Sequence, residues 1–116
     1  MDVYHVWASL KAGTSDTEFS DSVHGYLSHL QEDGRIAGYR LTRRKLGLGH
    51  PNLPEWHITI DFDSMAQMDT AFGEVSRRAD PVEGLHHAVN SKVEEVFFAL
   101  YRDFPDDQRV RGEEKF

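Results

Sequence analysis

The stretch Trp56-His-Ile-Thr-Ile-Asp-Phe-Asp-Ser-Met-Ala-Gln67 decides how this chain folds. From Trp56 to Phe62 apolar and polar residues alternate strictly, with Trp56, Ile58, Ile60 and Phe62 on one side and His57, Thr59 and Asp61 on the other. That period of two belongs to a strand with one face buried. Ser64 and Gln67 then stand at capping-box spacing, which marks a helix start. Met65, Met68, Phe72, Val75 and Ala79 carry on at helical spacing.

An earlier stretch has the same layout. Val3 to Leu10 alternates, with Tyr4, Val6, Ala8 and Leu10 on one face and His5, Trp7 and Ser9 on the other. Gly13 and Thr14 interrupt it, and Ser15 with Glu18 forms a second capping box. The apolar stripe Phe19, Val23, Tyr26, Leu27, Leu30 follows, closed by Gly34 as a left-handed helix terminator.

Ile36 to about Lys45 reads as a strand with Tyr39 and Leu41 on one side and Arg40, Thr42 and Arg44 on the other. Leu46 to Glu55, rich in Gly and Pro, is a long connection, an arm or a lid. Asp80-Pro81 reads as the cap and first position of a short helix with Leu85 and Val89 as its apolar edge and Asn90 at its end. Val93 to Tyr101 is a last strand, with Val96, Phe98 and Leu100 toward the helices and Glu95, Phe97 and Tyr101 away.

Two βαβ halves with right-handed crossovers give an α+β domain of βαββαβ order. Its antiparallel sheet has four strands in the order 4-1-3-2, with helices on one face. We assign residues 1–104 to this domain and 105–116 to a charged tail, mobile unless Phe116 docks.

With 116 residues, 39% hydrophobic and 28% charged, the chain has the make-up of one ordinary folded domain. A net charge of −7 argues against nucleic acid and anionic membranes as partners. The absence of cysteine excludes disulfides and thiolate metal sites and agrees with a cytoplasmic location. The start of the chain lacks the pattern of a signal peptide, and no apolar run approaches a membrane span.

The sheet face away from the helices is the informative one. His5, Trp7, Ser9, Arg40, Thr42, Arg44, His57, Thr59, Asp61, Glu95, Phe97 and Tyr101 fall on it. A solvated face would not normally carry Trp7, Phe97 and Tyr101 together, so an interface or a ligand is expected to cover it.

The strand order, the length and the opening Tyr4-His-Val-Trp-Ala-Ser-Leu-Lys11 resemble the dimeric α+β barrel superfamily of ferredoxin-like protomers, over Val3 to Arg102. The resemblance is to an uncharacterised bacterial family akin to stress-responsive A/B-barrel proteins and antibiotic-biosynthesis monooxygenases. It implies a homodimer joined through its sheet faces, with pockets at the interface or between sheet and helices. The monooxygenases' catalytic residues do not map onto this chain, so that activity is not carried over.

His5 and His57 hold equivalent positions on adjacent strands, near enough to share a proton, a ligand or a metal, with Glu95 or Asp61 as a third donor. The plainer reading has both histidines hydrogen-bonding across the dimer interface, with no metal or cofactor. His24, His29, His86 and His87 lack ligand spacing and read as surface residues. Arg40, Arg43, Arg44 and Lys45 suit an edge strand or an anion site. Tyr39, Trp56 and Phe62 are core or the lining of a helix-side pocket.

Two functions follow from these residues. One is a dimeric domain binding a small apolar or aromatic molecule without catalysis. The other is a small cofactor-independent oxygenase or isomerase using His5 or His57 as acid–base. An RNA-binding sheet is opposed by the acidic charge.

Overall fold

The computed structural model describes residues 1–107, 109 and 110. Its elements run β1 (Asp2–Leu10), α1 (Asp16–Glu32), β2 (Gly38–Arg43), β3 (Trp56–Phe62), α2 (Met65–Ser76), α3 (Val82–Asn90) and β4 (Val93–Arg102). The antiparallel sheet has the order β2-β3-β1-β4, the expected 4-1-3-2 read from the other edge. The fold is ferredoxin-like α+β. The expected mobile tail over residues 105–116 falls mostly outside the described residues, as does Phe116.

Both capping serines perform as their spacing implies. Ser15 Oγ accepts the Glu18 amide at 3.1 Å, and Ser64 Oγ accepts the Gln67 amide at 3.1 Å. Gln67 also bonds in two directions: its Oε1 accepts the Asp63 amide, and its Nε2 donates to the Gly34 carbonyl. The start of α2 is thereby tied to the turn that leaves α1, where Gly34 has a φ of +72°.

Phe19, Val23, Leu27 and Leu30 of α1 are buried against Ile36, Trp56, Ile58 and Phe62, with Met68 and Ala71 of α2 and Val82 of α3 completing the core. Burying each large apolar side chain stabilises the fold by about 1.5–3 kcal/mol. Phe19 meets the Trp56 ring edge-on, with centroids 5.3 Å apart.

Three local expectations need correction. α2 stops at Ser76, short of Ala79, because Arg78 turns into the left-handed region at a φ of +55°. Asp80 lies one residue too early to be the N-cap of α3, a position that Pro81 takes; its carboxylate nevertheless accepts the Gly84 amide at 3.2 Å. Arg44, expected on the outer sheet face, lies beyond β2 and folds over the following loop, donating to the carbonyls of His50 and Leu53. A Cβ at Gly49 would meet that guanidinium, which would have to swing aside to admit a larger residue. Among the described residues no helix is long and apolar enough to cross a membrane.

Candidate functional site

The two faces of the sheet carry different chemistry. On the outer face the register lays out parallel rows. Tyr101, Val3, Asp61 and Gly38 form one; Ala99, His5, Thr59 and Arg40 the next; Phe97, Trp7, His57 and Thr42 the third. His5 and His57 are thus diagonal neighbours, and their rings meet with His5 Nδ1 2.9 Å from His57 Nε2. One ring nitrogen donates and the other accepts, so the bond holds a single proton. Trp7 lies parallel over His57 at 4.6 Å between centroids, and Tyr101 closes on His5 edge-on at 4.9 Å. The result is a continuous aromatic and imidazole cluster.

The carboxylates do not join this cluster. Asp61 stands at the row of Val3, and Glu95 lies toward the other end, where its amide donates to Ser9 Oγ. Among the described residues no three His, Asp or Glu side chains converge as metal ligands. Arg40 is exposed at the β2 edge, Phe97 is 41% and Tyr101 62% exposed.

Burial lowers the pKa of His57 below its usual 6.5, and the neighbouring His5 lowers it further. The unfolded chain therefore binds the His57 proton more readily than the folded one. The stability due to neutral His57 is complete above about pH 6.5 and is lost as pH falls from there through the lowered folded value. Melting temperatures measured from about pH 7.5 to 5.5 should fall more steeply for the wild type than for His57→Gln. Parallel curves would show that His57 protonation does not control acid stability.

The other face holds a cavity of about 690 Å³ between the sheet and all three helices. Val6, Ala8, Ile58, Ile60 and Phe62 form its floor, and Val23, Leu27, Ala71, Val75 and Val89 its helical wall. Phe72 and Phe98, both exposed, mark the rim, and Phe98 stacks on Tyr4 at 5.8 Å. Into this apolar space project the phenols of Tyr4 and Tyr26, the imidazole of His86 and the amide of Asn90. Burial raises the pKa of Tyr4. It pushes Tyr26 up to about 12, with the nearby Tyr4 adding to the shift. Both phenols stay protonated at neutral pH.

The sheet separates the two clusters: neither His5 nor His57 lines the cavity. Of the aromatics expected on the helix side, Phe62 lines it, whereas Tyr39 and Trp56 do not. Tyr39 spends its hydroxyl on His24 Nδ1 at 2.9 Å, and Trp56 is enclosed between Phe19 and the Arg43 guanidinium. His86, read as a surface residue, instead packs beside Tyr26 at 5.4 Å between ring centroids. Tyr4 and Tyr26 were legible only as members of apolar stripes. The signal that could have singled them out was a phenol in each stripe, since a buried hydroxyl asks for a partner.

DUF6614, a family of unknown function, matches the chain over residues 1–116. The chain belongs to the DUF6614 family. No curated protein matches this DUF6614 chain. Among solved structures it is similar to At3g17210 of Arabidopsis thaliana, at 12% identity and a TM-score of 0.71 over 89% of this chain and 95% of that one. A dimeric ferredoxin-like protein of unknown function from Jannaschia sp. CCS1 matches at 9% identity and a TM-score of 0.64, over 89% and 100% of the two chains. The hydroxynitrile lyase of Passiflora edulis matches at 15% identity and a TM-score of 0.64, over 86% and 91%. At these identities the likeness carries the fold.

Proposed function

We propose that this chain is a small-molecule binding domain that pairs with a second copy through the outer sheet face and holds an apolar ligand between its own sheet and helices. The cavity carries the reading. Its volume of about 690 Å³ falls within the roughly 300–1,000 Å³ of ligand pockets, and its aliphatic lining with few polar groups is the usual make-up of such a site. The pairing is supported by Trp7, Phe97 and Tyr101 on the outer face, and by the dimeric state of the Jannaschia relative. An acid–base role for His5 or His57 on a ligand in this cavity has no geometric support, because the histidines project from the opposite side of the sheet. The net charge of −7 disfavours a nucleic-acid partner.

The test uses N-phenyl-1-naphthylamine, a neutral apolar fluorophore. Val6 is a half-buried residue in the cavity floor, so Val6→Trp should occupy part of the space while keeping a strand-favouring side chain. Wild type should give saturable fluorescence enhancement, and Val6→Trp should weaken it at least about tenfold. Equal titrations for the two proteins would overturn the reading.

A further inference from the structure

The cavity is unusual in where its polarity lies. Tyr4 rises from the central strand β1 and Tyr26 descends from α1, so two phenols face the same apolar space from opposite walls. Among the described residues neither hydroxyl has a hydrogen-bond partner, in contrast to Tyr39, whose hydroxyl is bonded to His24. Both side chains are only half-buried and neither hydroxyl is sealed from solvent, so water can meet each of them, while Phe would serve equally well for packing. Two such hydroxyls in one apolar cavity are donors that the oxygen of a bound ligand takes over from water.

The charge of the lining is equally selective. Among the described residues no Lys or Arg lines the cavity, and its carboxylate, Asp69, is exposed at the opening, where water solvates it. An anionic ligand would lose its hydration and meet no Lys or Arg there, the imidazole of His86 being the basic group in the lining. A neutral oxygen needs neither, and a carbonyl oxygen has two lone pairs for two donors. We infer that the ligand is an uncharged, largely apolar molecule bearing one carbonyl or hydroxyl oxygen, which the hydroxyls of Tyr4 and Tyr26 receive. This rests on the binding role proposed above for the same cavity.

Calorimetric or fluorescence titration with three probes of one shape separates the possibilities: naphthalene, 2-acetylnaphthalene and 2-naphthoate. The proteins are the wild type and the Tyr4→Phe/Tyr26→Phe double variant. Because the hydroxyls have no partners to lose, the double variant should fold, and its binding of naphthalene, within about twofold of wild type, reports an intact cavity. Its affinity for 2-acetylnaphthalene should drop about tenfold or more, the effect of losing two donor hydrogen bonds. On the wild type, 2-naphthoate should bind at least about tenfold more weakly than the ketone. If the ketone binds both proteins equally, or naphthoate matches the ketone, the oxygen-acceptor inference fails while the cavity remains a binding site. If none of the three binds the wild type, the binding role itself fails.

Discussion

Trp7→Glu should convert a dimer into a monomer in light scattering while leaving the fold and the cavity intact. Trp7 sits mid-strand in β1, with Phe97 of β4 opposite on one side and His57 of β3 on the other. It is the centre of the least polar row on the outer face. Against a second sheet, the new carboxylate would lose its water with no Lys or Arg in its row to meet it. The penalty for burying such an ion is several kcal/mol, enough to weaken pairing at least about a hundredfold. In the separated protomer the same carboxylate would simply be solvated, so circular dichroism and the melting transition should change little. N-phenyl-1-naphthylamine should still bind, since one chain supplies the whole cavity lining. A Trp7→Glu protein that stays dimeric would place the contact elsewhere, and a monomeric wild type would leave the aromatic face as free surface.

Trp7 and Val6 are adjacent in sequence yet report on separate sites. That separation could be read from alternation alone, because successive strand residues point to opposite faces. Alternation also marked the four strands, right-handed crossovers ordered them, and together these brought His5 beside His57. Other features needed three-dimensional packing. The Asp80 carboxylate reaches the Gly84 amide by a turn that the Asp-Pro pattern does not reveal. His86 acquires its place beside Tyr26 only because α3 packs on α1, a helix–helix contact that no local period encodes. The cavity itself is a mismatch between layers: the helices leave part of the β4 side uncovered, so Phe98 is 63% exposed although it faces them. A stripe pattern states which residues face inward. It does not state whether the two inward surfaces meet.

That distinction can be tested with two phenylalanines. Phe19 is fully buried at the α1–β3 contact, edge-on to Trp56, whereas Phe98 stands at the cavity rim and stacks on Tyr4. Phe19→Ala should cost about 3–5 kcal/mol in urea unfolding, the sum of lost burial and an unfilled hole beside an indole that cannot collapse into it. Against a total stability of about 5–15 kcal/mol, this removes a large share of what holds the domain folded. Phe98→Ala removes a ring that water already reaches, and should cost about 1 kcal/mol or less. It would act instead on the ligand, by opening the rim. Equal losses for the two substitutions would mean that the layers close over Phe98 as they do over Phe19, leaving no cavity to hold a ligand. A small loss at Phe19 would mean that α1 is not docked on β3. The expected inequality thus tests the packed end and the open end of one interlayer space, and the binding role depends on both.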